Sequence, residues 1–423
     1  MKNNMLELVP LEDNRLEHII ERLSDIEQEE EERFNDPFDP EEISIDTKPV
    51  PMETCLRRLK QKTIKLNPDF QRNEVWDLIR KSQLIESLML KIPLPMFYVS
   101  ADEKSNYTVV DGLQRLSTIR SFILGDAYLE NSEEARQGEG FRLEGLEFWK
   151  DYEGKIFNEL PTYIQNRILE TEFTFTIINP RTPEEVRRNI FHRINKGGLP
   201  LSSQEVRNAL YMGYSTVLLK EMSQYPEFLN ATNSSIKSLR MEDRELILRF
   251  LAFLVRDYTT YTRSIGIDSF LSDTMMIINA LPSLNSVELR RILAKDKDKK
   301  IKIEDINRLT IEGIKELFRK GMERSSILFG RHSFRKSYDP KPKSSINKSL
   351  FEMWGVLLAK ISEEEFRRLE NNKATLLSEY HQLLNTGRFH IDISRDSMKA
   401  PSVKNRFEEI QRLINKNMRW LHH

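Results

Sequence analysis

Asp111, Gly112, Gln114 and Arg115 lie together in YTVVDGLQRLSTIRSFIL, residues 107–124. A carboxylate, a glycine, an amide and a guanidinium at this spacing suit phosphate chemistry. The guanidinium and the amide donate to phosphate oxygens, and the carboxylate holds a cation or orients the guanidinium. Tyr107 to Val110 is an apolar run of strand type, and Asp111-Gly112 is a turn signal. Leu113, Leu116, Ile119, Ile123 and Leu124 then recur at helical spacing. The expected element is a strand passing through a glycine turn into a helix. The first turn of such a helix has unpaired N–H groups and the positive end of the dipole, which together attract anions. Glycine lets a ligand approach the backbone, and Ser117 and Thr118 add hydroxyls. The same residues also make a plain packed strand–turn–helix with Arg115 in a structural ion pair. This segment alone does not choose between the two.

Three further clusters carry polar groups at fixed spacing. In NPDFQRNEVWD, residues 67–77, Phe70 and Trp76 are expected to anchor a loop and so hold Gln71, Arg72 and Asp77 in place. A fixed Arg72 can pair with Asp111 or grip a phosphate through both arms, and a structural salt bridge is the alternative. In FHRINKGGLPLSSQEVRN, residues 191–208, Asn195, Lys196, Gly197 and Gly198 offer a second anion-binding loop. Ser202 or Ser203 should cap the next helix, with Gln204 and Glu205 in its first turn. A capped loop–helix junction explains the same residues. In RHSFRKSYDPKPKSSINKSLFEMW, residues 331–354, basic groups alternate with Phe334, Tyr338, Phe351 and Trp354. Such a mixture can stack bases and hold phosphates, but a loop packed on a helix is the expectation. There is no Walker A motif, no G-x-S-x-G and no H-E-x-x-H spacing. His332 has no carboxylate–histidine partner beside it in the sequence.

The elements that must position these groups follow from pattern. With 423 residues the chain can bury large cores in two or three domains. Lys plus Arg is 65 and Asp plus Glu is 66, so the net charge of −1 announces no global affinity for nucleic acid and leaves a local basic face open. Cys55 is the only cysteine, which excludes an intramolecular disulfide and a cysteine zinc cluster and fits a reducing cytoplasm. No apolar run reaches the roughly 18 residues of a membrane span, so no membrane partner is expected. Residues 1–46 read as an acidic tail or linker, IEQEEEERFNDPFDPEEISID over 26–46. It is either a solvated spacer or an acidic mimic of nucleic acid that covers a basic groove. Residues 47–214 read as α+β, with helices at Pro51–Lys60 and Leu78–Leu90 and strands at Thr63–Leu66, Met96–Val99 and Glu172–Ile178. Leu78 and Ile79 are placed on the apolar side of their helix. Thr182 is expected to cap a helix running to Arg193. Residues 215–423 read as a mostly helical domain, with a long amphipathic helix over 241–258.

PDFQRNEVW, LIESLMLKIPLP, VVDGLQRLSTI and FHRINKGGLPLSSQEVRNAL, in this order between about residues 60 and 212, resemble the N-terminal domain of GmrSD-type modification-dependent restriction enzymes. HSFRKS and INKSLFEMWGVLLA resemble the helical remainder of stand-alone members. The resemblance implies a ParB/sulfiredoxin-like fold with a D-G-Q-R or D-G-x-Q-R signature, followed by a helical domain. It implies an NTP-binding and NTP-hydrolysing module of a prokaryotic anti-phage restriction system, acting in the cytoplasm with Mg²⁺. Asp111, Gln114 and Arg115 would be the catalytic groups, with Asp111 on the magnesium ion. Gln71, Arg72, Gly112, Ser117, Thr118, Asn195 and Lys196 would bind the nucleotide phosphates. DNA, a separate nuclease subunit and a second copy of the chain are the implied partners, since no HNH signature is visible in the C-terminal half. A DNA-binding module without catalysis and a metal-dependent ParB-like nickase are the alternatives.

Overall fold

The computed structural model describes residues 25–27, 43–66, 76–125, 139–194, 202–236, 240–262, 266–281, 287–294, 306–307 and 309–418. The chain forms two compact units, Asn35–Pro200 and Leu201–His423 with Met1–Phe34. The architecture is α+β: one mixed sheet lies in the first unit, and the second is built mainly of helices.

In the first unit the strands are β1 (Ile45–Pro51), β2 (Ile64–Lys65), β3 (Phe97–Ala101), β4 (Tyr107–Asp111) and β5 (Glu172–Ile178), in sheet order β1-β5-β3-β4-β2. β1/β5 and β3/β4 run antiparallel, and β3/β5 and β2/β4 run parallel. The central strands are the apolar ones, with Phe97, Val99, Phe175 and Ile177 at most 4% exposed. The helices are α1 (Met52–Lys60), α2 (Leu78–Met89), α3 (Leu113–Leu124), α4 (Thr162–Leu169) and α5 (Glu184–Ile194). α1, α2 and α3 fall where the sequence periodicity sets them, because each presents an apolar stripe to the same core, through Leu56, Leu88 and Ile119 among others.

Four local features depart from expectation. β1 lies partly in the stretch assigned to the acidic tail. Its sequence IDTKPVP shows a single buried residue, Val50, and Pro49 and Pro51 are tolerated because it is an edge strand. Leu78 and Ile79 are 37% and 45% exposed, since α2 turns its Leu84–Ile85–Leu88–Met89 side inward. The Thr182 hydroxyl has a distant partner: it donates to Ser44 O at 3.0 Å and accepts from Ser44 N at 3.2 Å, tying the end of β5 to the start of β1. Strand β4 extends to Asp111, which pairs with Tyr98.

Glu86 on α2 is 3% exposed and organises the loop before α4. Its carboxylate accepts N–H bonds from Glu147 (3.0 Å), Phe148 (2.8 Å) and Trp149 (2.9 Å). Burial alone would raise its pKa, but these three donors hold it below the usual glutamate range.

In the second unit the helices are α6 (Ser203–Leu210), α7 (Tyr214–Met222), α8 (Pro226–Ala231), α9 (Glu242–Val255), α10 (Ile267–Ala280), α11 (Val287–Ala294), α12 (Ile311–Phe329), α13 (Lys348–Lys360), α14 (Glu363–Asn371), α15 (Lys373–Leu384), α16 (Gly387–Asp392) and α17 (Ala400–Met418). α13 is buried along nearly its whole length. α12 and α13 meet at Gly321 and Gly355: a Cβ on Gly321 would sit 2.5 Å from the Gly355 carbonyl oxygen. Inside this core Glu352 is fully buried and accepts from Arg406 and, at 3.4 Å, from Arg249. Two guanidiniums are what make a buried carboxylate tolerable.

Replacing Glu86 tests the loop anchor. Glu86→Ala should lower unfolding stability by about 2 kcal/mol or more, because three backbone donors lose a charged acceptor. The folded pKa is depressed, so this contribution is present above the unfolded value of about 4.3 and fades as pH falls through the folded one. Denaturant titrations of both proteins between neutral and strongly acidic pH should therefore converge. A constant difference at all pH values would refute the assignment.

Candidate functional site

The turn between β4 and α3 is built around Gly112. Its φ of 93° and ψ of 13° are left-handed, a region that L side chains adopt at a cost. A Cβ at Gly112 would also lie 2.8 Å from Cε1 of Phe97 and 3.1 Å from Nη2 of Arg115. Glycine is therefore required both by the turn and by the packing above it. Leu116 N donates to Gly112 O at 2.9 Å, the first helical bond of α3. Gly112 at the N-cap has no side chain with which to cap α3, and a helix start of this kind attracts anions.

Arg115 closes over this turn. Its guanidinium stacks on the Phe97 ring, 4.4 Å from the centroid. Phe97 in turn packs on Phe173 and Phe175 at 5.0 and 5.3 Å. Nη1 donates to Pro95 O, while Nη2 donates to Met96 O at 3.2 Å and to Asp111 Oδ2 at 3.0 Å. Three of the five guanidinium donors are thus engaged by the fold. Nε–H and one Nη1–H are outside these bonds. The Arg115 side chain is 12% exposed and that of Asp111 is 43% exposed. Burial lowers the Arg115 pKa and the Asp111 carboxylate offsets this, so the group stays a cation at neutral pH. The structural ion pair foreseen for Arg115 is present, with Asp111.

The other predicted groups are distributed unevenly. Gln114 lies in the first turn of α3, half-buried. The Ser117 and Thr118 hydroxyls are buried with no hydrogen-bond partner, and Thr118 is 1% exposed. Gln71, Arg72, Asn195 and Lys196 lie outside the described residues, as do Phe70, Gly197 and Gly198. Asp77 caps α2 by accepting from Arg80 N at 2.8 Å, and Trp76 is packed partly into the core. Ser202 caps α6 in a capping box with Glu205.

Two arrangements escaped the sequence reading. A cleft of about 420 Å³ lies at the other end of the sheet, lined by Asp46, Lys48, Asp102, Tyr107, Asn179 and Arg181 among others. It is remote from Asp111 because Tyr107 opposes Ala101 while Asp111 opposes Tyr98. In the second unit His332 does have a carboxylate partner: Nε2 is 3.2 Å from Asp339 Oδ1, and Nδ1 is hydrogen-bonded to Ser337 Oγ at 2.9 Å. The offset of seven residues bridged by an irregular loop has no periodic signal. Phe334, Phe351 and Trp354 are at most 2% exposed, so these three aromatics serve the core and not base stacking.

Gly112→Ala should destabilise the first unit by about 2 kcal/mol or more, from the left-handed backbone and the Phe97 contact together. Arg115→Lys should cost less, about 1 kcal/mol, because an ammonium keeps one donor but not the stacked fork. Thermal unfolding of both variants checks the order, and an unchanged Tm in Gly112→Ala would overturn this account of the turn.

No curated protein and no solved structure matches the chain. A family model does: the stretch from Cys55 at 55 to Met212 at 212 matches the one described as GmrSD restriction endonuclease, N-terminal domain. The matched residues contain β2 to β5 and end just after α6. The β4–Gly112–α3 turn, with Asp111 and Arg115 braced on Phe97, therefore lies inside the stretch that matches the GmrSD restriction endonuclease N-terminal domain.

Proposed function

We propose that the domain around Asp111 is a nucleotide-binding, NTP-hydrolysing module of a DNA restriction system. The observation that carries the reading is the glycine N-cap of α3 beside a cation held in one orientation. The family match over residues 55–212 supports the restriction context. In this reading Arg115 keeps its pose through Pro95, Met96 and Asp111 and offers its remaining N–H donors to a phosphate. A preset guanidinium needs no reorganisation when negative charge develops on the transferred group. Gln114 orients a phosphate oxygen or the attacking water. Gln71, Arg72, Asn195 and Lys196, which lie outside the described residues, are assigned to the phosphates by their motifs alone, whereas the buried Ser117 and Thr118 hydroxyls support the turn from inside.

Among the described residues no group of three or more His, Cys, Asp or Glu side chains is arranged to hold a metal. A nucleotide-bound magnesium ion needs fewer, since it is commonly held by one or two carboxylates plus phosphates and water. Asp111 fits that role, with a side chain 43% exposed and one oxygen turned to Arg115. Bound there, the ion would neutralise phosphate charge.

Phosphate release from ATP, GTP, CTP and UTP with Mg²⁺, with and without DNA, tests this proposal. Turnover of at least one nucleotide should fall on the order of a hundredfold in Arg115→Ala, as expected for loss of an oriented charge donor. The variant should retain its far-ultraviolet dichroism. Plasmid nicking with Mg²⁺ or Mn²⁺ and no nucleotide would replace this reading with the nickase. DNA binding with no turnover and no nicking would replace it with a binding module.

A further inference from the structure

Asp25, Ile26 and Glu27 lie across the second unit as a short extended strap. Ile26 bridges Ile346 in parallel fashion, with Glu27 N donating to Ile346 O at 2.8 Å and Ile346 N to Asp25 O at 2.6 Å. Ile26 itself is 5% exposed. On either side of it the two carboxylates reach cations of one loop. Asp25 Oδ2 is 2.6 Å from Arg335 Nη2 and 3.9 Å from Lys343 Nζ. Glu27 Oε2 is 2.6 Å from Lys336 Nζ and accepts from Asn347 Nδ2 at 2.8 Å. Residues two apart on an extended chain stand roughly 6.6 Å apart on one side, close to the separation of neighbouring phosphates on a nucleic-acid strand.

The loop receiving the strap is strongly basic. Residues 331–348, RHSFRKSYDPKPKSSINK, carry six Lys or Arg against one Asp. At its rim Tyr338 stacks on His381 with centroids 3.8 Å apart, and Lys341 lies 4.2 Å from the Tyr338 centroid. A cluster of cations on one loop is what contacts the phosphates of a duplex. Removing the strap would not strand the fully buried Arg335. It also donates to Ser235 Oγ at 3.0 Å and to Ser344 O. Lys336 and Lys343 are already 22% and 34% exposed with the strap in place.

We propose that the 331–348 loop is a binding surface for a nucleic-acid backbone and that Asp25–Glu27 is its built-in anionic competitor. Duplex DNA and the strap then exclude one another, and DNA binds when the strap lifts. The choice of DNA as the polyanion rests on the restriction reading above, whereas the competition does not. An intramolecular competitor lowers apparent affinity by the fraction of molecules in which the surface is free.

The test measures binding of a fluorescein-labelled duplex to the full chain by anisotropy over a range of salt concentrations. Asp25→Asn with Glu27→Gln keeps the size of the strap and removes its charge. Affinity should rise about tenfold, within the ordinary range of coupling between two sites. Its fall with salt should also steepen, as more phosphates are neutralised. Adding Lys341→Glu and Lys343→Glu should return affinity to the parent level. Unchanged affinity in the folded strap variant, or a gain that the two lysine changes do not cancel, would overturn the proposal. A gain for a polyglutamate peptide but not for DNA would overturn the nucleic-acid assignment and identify an acidic protein partner.

Hydrogen exchange on the unaltered chain is a second readout that needs no variant. Saturating duplex at low salt should speed exchange at the Glu27 and Ile346 amides, and protection there would overturn the competition. Nucleotide turnover is scored separately through Arg115→Ala, so failure of either proposal leaves the other standing.

Discussion

The stacking of the Arg115 guanidinium on Phe97, over a glycine that leaves room for both, is the constraint on which the first unit's site depends. Phe97 is a central-strand residue held between Phe173, Phe175 and the turn. The guanidinium covers the remaining ring surface and ties down Pro95, Met96 and Asp111. One side chain therefore joins the entry to β3, the exit from β4 and the start of α3. A group so engaged is poorly placed to swing toward a ligand. It is well placed to present its leftover donors in one orientation, which is the kind of preorganisation that electrostatic catalysis rewards.

The two units handle buried charge in the same way. Glu86 is surrounded by three backbone N–H groups, and Glu352 by Arg249 and Arg406. In each case a carboxylate inside the protein is tolerable only because its partners come from distant parts of the chain. Such groups specify one arrangement of loops and helices, because any other arrangement would leave a charge unpaired. Asp25 and Arg335 also pair across 310 residues of chain, but Asp25 is partly exposed and Arg335 keeps Ser235 and Ser344 as acceptors, so this pair is free to open.

Local signals and long-range pairing account for different parts of the structure. The bounds of α3 and β5 match their periodicity residue for residue, since apolar spacing over 113–124 and alternation over 172–178 meet cores on the expected face. The Ser202–Glu205 capping box was legible because it is a contact over three residues. Strand β1 was not, because edge pairing with β5 is a backbone matter and its two prolines argue against a strand. The tie from the Thr182 hydroxyl to Ser44 was not legible for a related reason: its partner lies 138 residues away along the chain. His332 and Asp339 were read as unrelated because a loop, without period, brings them together.

By itself the sequence determined that the chain holds an α+β region followed by helices, that Asp111-Gly112 ends a strand and opens a helix, and which motifs tie residues 55–212 to a restriction-enzyme domain family. These follow from propensity, periodicity and short-range geometry, which are properties of neighbours along the chain. Only the tertiary structure decided that Arg115 is braced on Phe97, that a cleft opens at the far end of the sheet, and that Asp25 and Glu27 reach the cations of the 331–348 loop. Each of these is a contact between residues far apart in sequence, made possible by burial and charge in the folded state, and no local pattern records it.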